Sequence, residues 1–168
     1  QIAGDEVAVI ETGKGTIRVK LDCDGAPIHV ANFCELATMG FYDGLKFHRY
    51  VPGFVIQGGC PNTRDMTCEQ VAAGQVGPDG QPGTGGPGWC IQEEFSTNPR
   101  NSHEDGALAM ARSMDPNSAG SQFYFCLGPQ HNLDSGYTVF GATVEGKDVI
   151  GALRAGDEIV KVNIVHGA

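Results

Sequence analysis

The pattern of apolar and polar positions changes period several times along the chain, and most of it reads as short strands. Val-Ala-Val-Ile-Glu-Thr over residues 7–12 and Thr-Ile-Arg-Val-Lys-Leu over residues 16–21 predict two strands of a hairpin, with Gly13-Lys14-Gly15 as the turn. Ile17, Val19 and Leu21 alternate with Arg18 and Lys20, the signature of a sheet with one wet face. From Pro27 the spacing becomes helical: Val30, Phe33, Cys34 and Ala37 recur before Gly40, predicting a helix over residues 28–39. A second, short helix is predicted over residues 147–155, where Val149, Ile150 and Leu153 form one stripe before Gly156. Further strands are expected at residues 47–50, 54–57, 107–112, 122–127, 139–144 and 158–165. About eight short strands and two helices point to a mainly β barrel or sandwich rather than a doubly wound fold.

Residues 60–88 break this rhythm. They show almost no apolar pattern and contain Gly77-Pro78-Asp79-Gly80 and Gly83-Thr84-Gly85-Gly86-Pro87-Gly88. A connection of that length is expected to be a functional or mobile loop. The glycine run lacks a Gly-Lys-Ser/Thr ending and a following apolar helix, so it does not read as a phosphate cradle. No internal repeat or linker divides the chain, and 168 residues suit one domain over 1–168.

Composition narrows the function classes. Twenty Asp and Glu against 11 Lys and Arg give a net charge of −9, which repels a phosphate backbone, and no basic run offsets it. Nucleic acid is therefore not an expected partner. No apolar run reaches transmembrane length, and no basic-then-apolar leader is present, although the chain starts at Gln1 rather than Met. A cytoplasmic location is the expectation.

The residues that carry chemistry lie in three blocks. Phe47-His48-Arg49-Tyr50-Val51-Pro52-Gly53-Phe54-Val55-Ile56-Gln57-Gly58-Gly59 is the first. Gly106-Ala107-Leu108-Ala109-Met110-Ala111-Arg112 with Ser121-Gln122-Phe123-Tyr124 is the second, and Leu133-Asp134 with Val139-Phe140-Gly141 the third. In this order and spacing, over residues 7–165, they resemble the cyclophilin-type peptidyl-prolyl cis/trans isomerases, in their bacterial form. The resemblance implies a closed eight-stranded antiparallel β-barrel capped by two α-helices. It also implies a cofactor-free, metal-free isomerase, usually monomeric, acting on proline-containing peptides and unfolded proteins.

By position, the resemblance makes Arg49 the catalytic donor and Gln57 its support. Phe54, Val55, Tyr124 and Leu133 become walls of a proline pocket, and His48, Ala111, Arg112 and Gln122 hold the peptide backbone. Parity along 122–126 agrees, placing Gln122 and Tyr124 on one face and Phe123 and Phe125 on the other. Four positions depart from the best-known family members. Val55 stands where Met is common, Tyr124 where Phe is usual, Tyr137 where many members have His, and Asn132 where tight cyclosporin binders have Trp. Weak cyclosporin binding is expected, and the Tyr124 hydroxyl requires a partner or water at the edge of an apolar slot.

Other readings compete. A module that binds proline peptides without useful turnover would use the same groove. Among the six cysteines, Cys23, Cys34 and Cys126 fall in apolar periodic stretches and read as buried hydrophobes. Cys60, Cys68 and Cys90 lie in or beside the long loop. They are open to three readings: free thiols, a disulfide from Cys60 to Cys68 or Cys90, or a metal-responsive site without the usual C-x-x-C spacing. His29, His103, His131 and His166 are expected to be solvated or capping residues.

Overall fold

A computed structural model describes residues 2–167. Glu6–Thr12 (β1) and Gly15–Leu21 (β2) form the expected hairpin, with Ile10 opposite Ile17. Thr12 closes the turn, its hydroxyl donating to the Gly15 carbonyl and accepting from the Lys14 N–H. Pro27–Thr38 (α1) opens on Pro27, where the missing N–H costs nothing. Its free N–H groups are met from far along the chain: the Glu94 carboxylate accepts from Ile28 N at 3.0 Å and His29 N at 2.8 Å. The same carboxylate bonds His29 Nδ1 at 2.7 Å, and His29 is buried, where a solvated or capping residue was expected.

Arg49–Val51 (β3), Val55–Gly58 (β4), Ala107–Met110 (β5), Phe123–Cys126 (β6), Val139–Glu145 (β7) and Ile159–His166 (β8) complete one sheet. All pairings are antiparallel, in the order β3-β4-β6-β5-β7-β2-β1-β8. The expected fully closed ladder is not formed, because the end strands β3 and β8 share no register. The sheet is open and curled there, and only the flanks of its ends meet, through one bridge, Lys46 to Glu158. Four backbone hydrogen bonds of 2.7–2.9 Å accompany it, between residues 44–47 and 156–159.

The two faces of the sheet bury different things. On the inner face Phe123, Phe125 and Phe140 meet Phe33 and Tyr42, with Phe33–Phe123 and Tyr42–Phe123 edge to face. On the other face Val55, Ala109, Tyr124, Cys126 and Val139 form a smaller apolar cluster, flanked by Phe54, Leu133 and Tyr137. The alternation along β6 thus separates core from site as its parity predicts.

Helices number three rather than two among the described residues. Lys147–Ala152 (α3) is the expected second one, and its Val149 side chain lies over Gly15. The added helix, Cys68–Ala72 (α2), lies inside the long loop and begins with a capping box between Thr67 and Gln70. Met66 and Val71 are buried, so the segment has an anchor that two isolated apolar residues could not signal by periodicity. Gly156, at φ +97°, allows the close approach of α2: a side-chain carbon there would meet the Cys68 carbonyl at 2.6 Å. No helix among the described residues is long and apolar enough to cross a membrane.

Candidate active site

Strand register builds the site. Arg49 pairs with Gln57, Gln57 with Tyr124, Tyr124 with Ala109 and Ala109 with Val139, across β3, β4, β6, β5 and β7. Directly opposed residues share a face, so one row runs from a cation through an amide to an apolar patch. Above it opens a cavity of about 410 Å³. His48, Arg49, Phe54, Val55, Gln57, Ala111, Arg112, Tyr124, Leu133 and Tyr137 all line it, as the sequence predicts.

Two expected residues do not line it. Gln122 faces an adjoining cavity of about 680 Å³, and Asn132 is exposed in a 3₁₀ turn over His131–Leu133. Two unexpected ones do: Pro82 and Gly83, brought in from the long loop. That strap is held from both sides. The Cys60 thiol, fully buried, accepts from Gly83 N at 3.2 Å and Gly85 N at 3.3 Å, while Gln122 Nε2 donates to the Gly83 and Gly85 carbonyls. Gln122 Oε1 in turn accepts from Gln57 Nε2 at 3.0 Å, and Gln57 Oε1 accepts a long bond, 3.5 Å, from Arg49. A run of amides therefore connects the strap to the guanidinium. That long contact leaves most of the Arg49 donors unspent.

Tyr124 is only 4% exposed, yet its hydroxyl is satisfied. It lies 2.9 Å from Nε2 of His103, whose Nδ1 is 2.7 Å from Asp134 Oδ1, and Asp134 Oδ2 lies 2.9 Å from His131 Nδ1. A carboxylate at Nδ1 fixes the proton there, so Nε2 accepts from the tyrosine O–H. The hydroxyl hydrogen turns away from the cavity, which meets the ring alone. Burial, opposed by Asp134, holds the His103 pKa below the usual histidine range and keeps the ring neutral. For Asp134, burial pushes the pKa up, but hydrogen bonds from the His103 backbone and both imidazoles more than offset it, leaving the carboxyl below its ordinary value. His103 is thus buried and bonded to two side chains, where a solvated or capping residue was expected. The sequence signalled that Tyr124 needed a partner, but not which of five histidines would supply it.

His48 sits beside the strap, and its Nδ1 is a buried polar atom without a partner. Burial, reinforced by the neighbouring Arg49, lowers its pKa to about 4. The imidazole is therefore neutral at pH 7. All six cysteines are unbonded thiols, including Cys68 and exposed Cys90. Asp5, Glu6 and His166 are the one cluster of metal-ligand type among the described residues. The Glu6 carboxylate there is already taken by Ala3 N, Gly4 N and the Cys23 thiol.

The parts amount to a cavity with an apolar patch at Phe54, Val55, Tyr124 and Leu133, beside an exposed guanidinium with spare donors. Such a site suits a small apolar ring whose adjoining polar atoms need a cationic donor. The family model for cyclophilin type peptidyl-prolyl cis-trans isomerase/CLD matches residues 7–166. A peptidyl-prolyl cis-trans isomerase of Synechococcus elongatus is 44% identical over 163 residues, covering 96% of this chain and 97% of its own. Peptidyl-prolyl cis-trans isomerase B of Bacillus subtilis is 40% identical over 148 residues, covering 88% and 90%. Among solved structures, a Cryptosporidium parvum cyclophilin type isomerase superposes with a TM-score of 0.79 at 24% identity, covering 98% of this chain and 99% of its own. The structure of that protein in the presence of the dipeptide Ala-Pro gives 0.74 at 26%, covering 96% and 99%. The chain belongs to the cyclophilin-type peptidyl-prolyl cis-trans isomerase family.

Proposed function

We propose that Arg49 is the group through which this isomerase lowers the barrier to rotation about X–Pro bonds, with the Phe54–Val55–Tyr124–Leu133 slot holding the proline ring. The observation that carries this is the row Arg49–Gln57–Tyr124, which sets the guanidinium at the mouth of the slot. Amide resonance sets a barrier of roughly 18–20 kcal/mol, and no covalent bond has to form. Twisting the amide returns the lone pair to the proline nitrogen. A guanidinium aimed at that atom bonds the twisted state and not the planar one, which is what accelerates a reaction. Gln57 orients Arg49 and lies within reach of the substrate carbonyl. Ala111, Arg112 and Tyr137 flank the peptide. Gln122 acts by bracing Gln57 and the strap.

The remaining roles follow from the same arrangement. We read residues 1–168 as one domain that acts as a monomer. Cys60 serves as a thiol acceptor for the strap, and unbonded cysteines with an acidic composition support a reducing, cytosol-like setting. Asn132, exposed and without the apolar face of Trp, supports weak cyclosporin binding.

Turnover and peptide affinity measured on one proline peptide test the enzyme against the binding-module reading. Catalysed cis/trans exchange by NMR, saturable in peptide, is expected. Saturable binding with exchange at the uncatalysed rate would leave only the binding module.

A further inference from the structure

Arg112 lines both cavities, since the slot and the adjoining 680 Å³ cavity share Gln57, Gly83, Ala111 and Arg112. A peptide whose proline fills the first has neighbouring side chains beside the second. The charges around this double groove are one-sided. The chain carries 20 acidic residues against 11 Lys and Arg, yet neither cavity has a carboxylate in its lining. Its charged side chains are Arg49 and Arg112, because His48 is neutral. Neither arginine has an ion-pair partner among the described residues.

Arg112 is also held in place. Its Nε donates to the Gly136 carbonyl at 2.7 Å, and Nη1 donates to the Ser113 and Met114 carbonyls at 2.9 and 3.3 Å. The guanidinium stacks over Tyr137, 4.6 Å from the ring centre. These contacts are neutral acceptors, so they fix the position without cancelling the charge. Asp115, three residues on, accepts from Asn117 N and lines neither cavity. A fixed, uncompensated cation loses little freedom when it meets an anion, and its Nη2 donors, unspent in these contacts, can meet a carboxylate.

We infer that the groove selects peptides with an acidic side chain close to the X–Pro unit, and that Arg112 is the residue that reads it. This rests on the isomerase reading of the same site. An acidic enzyme would otherwise repel such peptides, so the local pair of arginines reverses the sign of the overall charge where the substrate docks.

The test uses peptides that differ only in carrying Glu, Gln or Lys at each of the two positions on either side of X–Pro. Exchange rates are measured by NMR on the intact protein. At one or more positions kcat/KM should rank Glu above Gln above Lys, with each step about 1.5- to 5-fold at low salt, the scale of a partly exposed ion pair. The Glu-to-Gln ratio should shrink toward one at high salt. Arg112→Gln should bring that ratio to about one, and Arg112→Lys should keep part of it. A ratio of one in the wild type, with all peptides turned over, overturns this inference and leaves the isomerase reading standing. A preference that survives in Arg112→Gln overturns the assignment to Arg112. No turnover of any peptide overturns the isomerase reading itself.

Discussion

Replacing His103 with Leu removes the only partner that the buried Tyr124 hydroxyl has among the described residues. An unsatisfied buried hydroxyl costs about 1–3 kcal/mol, and loss of the imidazole bond to Asp134 adds about 0.5–1 kcal/mol, since Asp134 keeps His131 and the residue-103 backbone N–H. His103→Leu should therefore destabilise the fold by about 1.5–4 kcal/mol. Tyr124→Phe removes the other end of the bond and leaves His103 Nε2 without a donor, at about 1–2 kcal/mol. Making both changes removes donor and acceptor together, so the double variant should lose about 1–2 kcal/mol less than the sum of the singles. Urea unfolding of the four proteins measures that coupling. Activity supplies a second reading: because the hydroxyl hydrogen faces His103 and not the cavity, Tyr124→Phe should keep kcat/KM within about threefold. Free energies that add within about 0.3 kcal/mol would refute the hydrogen bond. A tenfold activity loss in Tyr124→Phe would show that the hydroxyl serves the substrate.

Other expectations follow from the same structure. Glu94→Ala deprives two helix N–H groups and the buried His29 ring of their acceptor, and should cost about 2–4 kcal/mol in urea unfolding, although Glu94 does not line the cavity. His48 is lowered from 6.5 to about 4 in the folded chain, so unfolded protein binds the proton first as pH falls. Its contribution to stability is fully present above about pH 6.5 and is lost between 6.5 and 4. His48→Asn should flatten that part of the pH–stability curve, while an unchanged slope would assign the loss to other groups. Asn132→Trp should raise cyclosporin affinity at least tenfold by titration calorimetry, and no gain would mean that another wall, such as the short Val55, sets the weakness.

How much of this was readable beforehand depended on the range of the interactions. The hairpin at Gly13-Lys14, the Pro27 helix start and the parity of Phe123, Tyr124 and Phe125 are local, and local pattern encodes them. The residues that line the candidate cavity were legible because they cluster in motif blocks whose order matches a family. Partners supplied across the fold were not: Glu94 capping a helix 65 residues away, and His103 meeting Tyr124. Strap residues Pro82 and Gly83 were hidden because a glycine-rich loop has no periodicity to show which way it folds. Helix α2 was missed because five residues are too few to establish a 3.6-residue period. The open edge between β3 and β8 was not legible either, because the Lys46–Glu158 bridge that joins their flanks links residues far apart in the chain.

The central claim is that one guanidinium, Arg49, bonds the twisted amide. Arg49 is exposed at the edge of β3 and braces no buried group, so Arg49→Ala should fold as the wild type does by circular dichroism and urea midpoint. Its kcat/KM for a proline peptide, measured by exchange NMR, should fall about 100-fold or more, the scale on which losing a transition-state donor is felt. Peptide affinity, set by the apolar slot, should change far less. A folded Arg49→Ala protein that isomerises at the wild-type rate would contradict the account.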